Sequence, residues 1–393
     1  MITTDRPGPR PQSAYGPAPE SMYELMREAL PQLNLGLDEW TNRMMRWHFA
    51  DDTGSPFWLS QRPTLGFDPL RDIETFADLR RFGTFDVNRL RQAPVRDLVP
   101  RGFAGRPFRV FETGGTTGAP CRIVNVTRLG NDVLMYSAML SSRGLAGLDI
   151  VAMTPSGPHA YGHFVEGLAD SWGGAVCAID FDPRWVKHEL RSGRDGESYL
   201  AHLLSQTMNL LERREAGLLF TTTRLLLALA AELDDPLADF GIRAVCTGGT
   251  SVTAEEDRLL RTEFLGDVQW IDTYGNTLVG HALPTEPLTE GGCGTNRGRN
   301  NHGRNNHGRT YHLAPPFGEI RVADTADWTG TVDYGQRGRV VTTTLLEDLF
   351  IPNLIERDSA VRARPHPWFP WDGVAQVAPA DDTSLLAVTE GVY

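Results

Sequence analysis

Lysine is almost missing from this 393-residue chain: Lys187 is the single one, so arginine carries the positive charge. Cysteine is scarce as well. Cys121, Cys177, Cys246 and Cys293 are too few and too scattered to make a disulfide framework. No apolar run reaches the ~20 residues of a membrane span, and the most apolar stretch, 218–233, is interrupted by Arg224 and a triple threonine. Residues 1–7 contain no apolar export segment, so the expected location is cytoplasmic, with no membrane partner. Positive charge is in deficit: 38 Lys+Arg against 50 Asp+Glu give a net charge of −12. Such a balance offers nothing to a nucleic-acid backbone or an anionic membrane, although local arginines still allow small anionic ligands.

What is present is a globular composition, 40% hydrophobic and 22% charged, where disorder would need far fewer apolar groups. Residues 1–20, with Pro7, Pro9, Pro11, Pro17 and Pro19, read as a disordered lead-in. Residues 21–105 carry helical patches at 22–30 and 37–47, punctuated by Pro56, Pro63 and Pro69, and read as a wrapping part. The informative stretch is 149–275. Short β-branched runs at 149–154, 174–179, 218–220, 242–246 and 268–271 alternate with helical periodicity at 164–172, 199–213, 224–233 and 254–264. Repeated βα units demand a parallel sheet covered by helices, hence an α/β fold. Ligands in such sheets bind beyond the carboxyl ends of the strands. The segments there are rich in threonine, serine and glycine: Thr154-Pro155-Ser156-Gly157, Thr221-Thr222-Thr223, Thr247-Gly248-Gly249-Thr250 and Thr273-Tyr274-Gly275. They let a ligand approach the backbone and supply neutral donors to phosphate and ribose oxygens; they also serve as ordinary turns.

Upstream, Thr113-Gly114-Gly115-Thr116-Thr117-Gly118-Ala119-Pro120 lies between two strand-like runs, 108–111 and 122–126. A hydroxyl-bearing loop on a hairpin can fold its amides around a polyphosphate. It is not the phosphate loop of nucleoside triphosphatases, because no Gly-Lys-Ser/Thr follows. It resembles the signature of the adenylate-forming enzymes (acyl-CoA synthetases and adenylation domains), and within them the phenylacetate-CoA ligase branch. Further matches come in order. His159-Ala160-Tyr161-Gly162-His163-Phe164 resembles that branch's aromatic segment beside the acid pocket. Thr247-Gly248-Gly249-Thr250 resembles its adenine-contacting turn, and Asp272-Thr273-Tyr274-Gly275-Asn276-Thr277 its adenine-stacking motif. The stretch 338–358, ending in Arg357-Asp358, resembles its ribose-binding motif. Together the matches span 56–358.

The resemblance implies the large N-terminal domain of an adenylate-forming enzyme over 21–358: wrapping helices at 21–105, a nucleotide- and acid-binding α/β core at 106–280, a loop with a repeat at 281–316, a smaller β-rich part at 317–358, and a short extension at 359–393. It implies AMP-forming activation of a small aromatic carboxylic acid by ATP and Mg²⁺ in a biosynthetic pathway, with transfer to an amine or thiol acceptor or a carrier protein. The residues it implies are Thr116, Thr117 and Thr277 for catalysis. For nucleotide binding they are Thr113, Gly114, Gly115, Gly118, Gly248, Gly249, Thr250, Asp272, Tyr274, Gly275 and Asp358, and for the acid Tyr161, Gly162, His163 and Phe164. Two departures stand out. Leu278 occupies the position of a glutamate that helps hold Mg²⁺, so the metal ligands are unknown. The sequence beyond Asp358 is only 35 residues without a lysine, where the family has a mobile C-terminal domain bearing a catalytic lysine. An acyl-protein synthetase acylating a protein cysteine and a non-catalytic nucleotide- or acyl-binding homologue therefore remain alternatives.

Three features stand outside these motifs. Residues 298–309 form a tandem five-residue repeat of Gly, Arg, Asn, Asn and His, expected to be a plain solvent loop because it has nothing apolar to bury. Alternative roles are a zinc site with Cys293, His302, His307 and His312, or an arginine cover for a nucleotide or carrier-protein phosphate. His159 and His163 read either as polar contacts in the pocket or as surface or helix-capping residues. Cys177 and Cys246 read as small buried hydrophobes rather than nucleophiles.

Overall fold

The computed structural model describes residues 22–114, 119–194, 196–249, 252–285, 309–325, 327–366, 369 and 371–380. Two strands, β1 (Arg109–Glu112) and β2 (Arg122–Asn125), form the expected antiparallel hairpin around the Thr/Gly segment. The βα alternation folds as a parallel array in the order β4-β3-β5-β6-β7, comprising β3 (Ile150–Ala152), β4 (Val176–Ala178), β5 (Leu218–Thr221), β6 (Ala244–Gly248) and β7 (Gln269–Asn276). Alternate residues of these strands enter opposite cores, as a pleat of period two requires. Ile150, Ala152, Leu218, Phe220, Ala244 and Cys246 pack on one face against the helices Arg128–Ser142 and Ala160–Trp172. Val151, Met153, Leu219 and Val245 pack on the other against the helices Glu197–Leu211 and Thr223–Glu232. Burial pushes the Cys246 thiol up to about 12, which suits a core residue and not a nucleophile.

The sheet does not end at β7. Its residues 269–273 pair in parallel with β6, then Tyr274–Asn276 turn to pair antiparallel with β8 (Gly280–Thr285). From there β9 (Thr310–His312), β10 (Gly318–Ala323), β11 (Arg337–Leu345), β12 (Phe350–Ala363) and β13 (Gly373–Pro379) continue in the order β8-β9-β13-β12-β11-β10. The β-rich part thus adds to the edge of the parallel array, and the extension after Asp358 contributes β13 between β12 and β9. The Gly275 backbone crosses Gly280 so closely that a Cβ there would collide with the Gly280 carbonyl oxygen, which accounts for the glycine at the change of partner.

Two of the longer helices escape the sequence periodicity, Arg128–Ser142 and Pro183–Arg191. The first opens on Gly130 and Asn131 and has no cap from its own N-cap residue, Thr127. Its cap is remote: Asp348 Oδ2 accepts the backbone N–H groups of Val126, Thr127 and Arg128 at 2.7, 2.8 and 3.1 Å. The wrapping helix Leu37–Phe49 in turn fastens the turn that carries Asp348. Trp40 Nε1 donates to the Leu345 carbonyl (2.8 Å), Trp47 Nε1 to that of Glu347 (2.6 Å) and His48 Nε2 to that of Leu346 (2.7 Å).

Burial holds the His48 imidazole down at about 4, so it is neutral in the fold. The unfolded chain, with a histidine near 6.5, binds the proton more readily. The contribution of neutral His48 is therefore intact above pH 6.5, erodes below it, and is lost by about pH 4, for a total of about 3 kcal/mol. Unfolding by urea at pH 7.5 and 4.5 should show that drop, and His48→Gln, which retains a donor for Leu346, should remove much of it. An equally acid-sensitive His48→Gln protein would assign the effect to other groups, of which buried His312, also lowered to about 4, is the first.

Candidate active site

At the junction of the parallel and antiparallel halves lies a cavity of about 910 Å³. Its walls come from the hairpin β1–β2, the ends of β6 and β7, the starts of the helices Arg128–Ser142 and Ala160–Trp172, and β12 and β13. This is where the topology predicts a ligand. Thr113, Gly114, Gly248, Gly249, Asp272, Tyr274, Gly275, Thr277 and Asp358 all line it, together with Tyr161 and Phe164. Gly115, Thr116, Thr117, Gly118 and Thr250 lie outside the described residues.

Two of the expected acid-pocket residues, and the triple threonine, behave differently. Gly162 and His163 are absent from the wall, because a helix that turns Tyr161 and Phe164 toward the cavity points the two residues between them elsewhere. A Cβ on Gly162 would stand 2.7 Å from the Pro155 carbonyl oxygen, so this glycine serves close packing. His163 accepts from Arg109 Nη1 (2.9 Å) on Nδ1 and donates from Nε2 to the Gly157 carbonyl (3.0 Å). The triple threonine Thr221-Thr222-Thr223 is buried rather than ligand-facing, and Thr222 caps its helix through the Leu225 N–H. His159, by contrast, does line the cavity; it makes no side-chain cap bond, its Nε2 has no hydrogen-bond partner among the described residues, and burial lowers its pKa.

Asp272 is tied up inside the protein. It accepts from Thr247 Oγ1 (2.7 Å), Tyr311 Oη (2.6 Å) and Arg309 Nη1 (3.3 Å), while Trp270 Nε1 donates to Thr247 Oγ1 (2.8 Å). Its place is to anchor the end of β7. Asp358 accepts from Tyr274 Oη at 2.8 Å, and burial raises its pKa. Two residues earlier on the same face of β12, Glu356 accepts from Asn276 Nδ2 (3.1 Å) and Thr342 Oγ1 (3.2 Å), and burial pushes it up to about 7.

The described residues alone offer no ready set of Mg²⁺ ligands. Leu278 packs into an apolar cluster with Phe111 and Ile123, the two carboxylates of β12 already have internal donors, and no group of three His, Cys, Asp or Glu with ligand geometry occurs among the described residues. Of the zinc alternative, Cys293, His302, His307 and the repeat up to residue 308 lie outside the described residues; His312 is buried and stacks on Phe369 at 5.6 Å.

Among the cavity residues that sequence reasoning passed over are Arg128, Asp132, His281 and Glu356, and behind the wall it passed over Lys187. The Lys187 ammonium donates to the Gly114 carbonyl at the root of the Thr/Gly loop, from a side chain that is itself buried. Its being the single lysine was the available signal. The arginine and aspartate stand one turn apart at the start of a helix, and only the fold brings His281 to them.

No family profile and no curated protein sequence matches this chain. Among solved structures it is similar to 2-hydroxyisobutyryl-CoA ligase. The open conformation of that enzyme with 2-HIB-AMP and CoA aligns over 95% of this chain and 81% of that chain, with 15% identity and a TM-score of 0.61. Its postadenylation state with 2-HIB-AMP aligns over 95% and 74%, with 15% identity and a TM-score of 0.59. The likeness shows the fold, that of 2-hydroxyisobutyryl-CoA ligase. Among the described residues no helix is long and apolar enough to cross a membrane.

Proposed function

We propose that this chain activates a small aromatic carboxylic acid with ATP, forming the acyl-adenylate, and passes the acyl group to an amine or thiol acceptor. The observation that carries the reading is the convergence on one cavity of the loop root Thr113-Gly114, the turn Gly248-Gly249, Tyr274 with Asp358, and the aromatic pair Tyr161 and Phe164. The acid's carboxylate oxygen attacks the α-phosphorus in line; one P–O bond forms, the bond to pyrophosphate breaks, and the charge leaves with pyrophosphate. The protein's task is positioning and charge stabilisation. Tyr274 offers its ring to adenine and Asp358 its free carboxylate oxygen to ribose. Thr116, Thr117 and the neighbouring amides hold the phosphates, and Thr277 lies at the reacting end. Tyr161 and Phe164 flank the acid.

Carboxylate-dependent exchange of labelled pyrophosphate into ATP, with Mg²⁺ and a panel of aryl and aliphatic acids, tests this directly. Exchange with at least one acid is the expected outcome. Leu278 at the missing glutamate position and the internally engaged Asp272 favour a second reading, a nucleotide- or acyl-binding homologue without turnover, and this takes precedence if no acid supports exchange. Either way, Asp358→Ala should weaken adenosine nucleotide binding by about 1–3 kcal/mol, because a carboxylate accepting ribose hydroxyls makes charge-assisted bonds. Unchanged affinity in a titration would place the ribose elsewhere.

A further inference from the structure

Opposite the single residue Val340 of β11, β12 carries Glu356, Arg357 and Asp358, because Arg339 pairs with Ser359 and Val341 already with Ile355. Such a bulge takes side chains out of the ladder and re-aims them, and here it delivers two carboxylates to the cavity wall. Asp358 is committed: Oδ2 accepts from Tyr274, and the proposed ribose takes the other oxygen. Glu356 is held but not used up. Both of its internal donors, Asn276 Nδ2 (3.1 Å) and Thr342 Oγ1 (3.2 Å), go to Oε1. Asn276 is itself fixed, since its Oδ1 accepts the N–H groups of Leu278 (2.8 Å) and Val279 (3.2 Å). Glu356 Oε2 accepts no hydrogen bond among the described residues and is not enclosed, so it opens on the cavity. One oxygen thus ties the carboxylate to the turn that carries Thr277, and the other stands open beside the proposed reacting end.

We propose that Glu356 is the base of the transfer step and that the acceptor is an amine. The inference rests on the adenylation reading for the acyl-adenylate on which it acts. The amine nitrogen attacks the acyl carbon; the C–N bond forms, the C–O bond to AMP breaks, and its electron pair leaves with the phosphate. The nitrogen turns cationic as it attacks, and its proton passes to Glu356 Oε2. A thiol fits this wall less well, because an ionised thiol needs no base and brings negative charge beside two carboxylates. The groups that meet Glu356 from β7 and β11, Asn276 and Thr342, are neutral. Arg337 of β11 is engaged with Ser359 Oγ and with the Gln376 carbonyl of β13, and Arg339 acts on Asp358. Burial pushes the Glu356 carboxyl up to about 7; Asp358 adds to the rise, and Asn276, Thr342 and Arg357 oppose it. A base in that range is ionised near neutral pH and still holds the proton it takes.

The test uses the full chain with chemically prepared acyl-adenylates of benzoate and phenylacetate, so that transfer is read apart from adenylation. The probe acceptor is methoxyamine, whose amino group stays uncharged on both sides of neutrality. Amide formation should outrun the reaction in buffer and rise with pH to a plateau, with its midpoint at about 7. Glu356→Gln, which keeps an oxygen for Asn276 and Thr342, should lower the rate at saturating adenylate by about 10²-fold and erase the pH limb. Its affinity for the adenylate, measured by calorimetry, should change far less, and melting temperature reports the fold. Glu356→Asp keeps the carboxylate but draws it back, so it should retain the limb at a reduced rate, and it carries the comparison should Glu356→Gln fail to fold. A parent no faster than buffer, a Glu356→Gln protein as fast as the parent, a limb that survives in it, or a larger acceleration over buffer with N-acetylcysteamine than with methoxyamine overturns the inference. Glu356-dependent transfer by a chain that supports no pyrophosphate exchange upholds it and removes the adenylation reading instead.

Discussion

Replacing Lys187 with methionine should slow carboxylate-dependent pyrophosphate exchange by about 10² to 10³-fold, the usual loss when one stabilising donor or charge is withdrawn from a developing transition state. If the chain adenylates as proposed, negative charge moves onto departing pyrophosphate and has to be offset. The single lysine of the sequence stands beside the start of the Thr/Gly segment, its buried ammonium donating to the Gly114 carbonyl. It fixes the start of the loop through that bond and places a full positive charge next to the segment that would hold the phosphates. Arginine should restore part of the rate, since it keeps the charge on a longer and planar head. Because Lys187 is buried, melting temperature and nucleotide affinity must be read alongside exchange. Exchange as fast in the Lys187→Met protein as in the parent would mean that the loop hydroxyls and amides suffice without it.

How much of this was legible in the sequence differs between backbone and site for a physical reason. The parallel array was readable because each strand is a short β-branched run between helical periods, and the order of the units fixes their handedness and packing. The same local signals placed Tyr274, Gly275 and Gly248-Gly249 at strand ends, where the cavity lies. Periodicity within a helix was the missing refinement for the segment after β3: a contiguous motif from Tyr161 to Phe164 cannot all face one way, and the two inner residues do not. The triple threonine misled for the opposite reason, since hydroxyls at a strand end can equally cap the next helix, as Thr222 does. Least legible were the pairings across long separations. Asp132 and His281 come from a helix and a hairpin brought together only by the antiparallel extension of the sheet, and no spacing rule links them.

A still more remote pairing, that of Asp348 with residues 126–128, should be the most expensive to break. Asp348→Ala is expected to destabilise the protein by about 3–5 kcal/mol, because it strips the shared acceptor from three N–H groups, one buried and two partly buried, and removes a negative charge from a helix N-terminus at once. Nothing nearby replaces it: Thr127, in the N-cap position, makes no side-chain bond to the helix. Asp348→Asn preserves an acceptor oxygen and should lose about 1–2 kcal/mol, the part due to charge. The effect should reach the cavity too, since the helix that Asp348 starts carries Arg128 and Asp132 on its first two turns. Urea unfolding of the two variants gives the energies, and acid binding shows whether the helix start has moved. If Asp348→Ala unfolds at the parent's denaturant concentration, the three short bonds to Oδ2 do not hold the helix, and the coupling from wrapping helix to cavity through residues 345–348 must be abandoned.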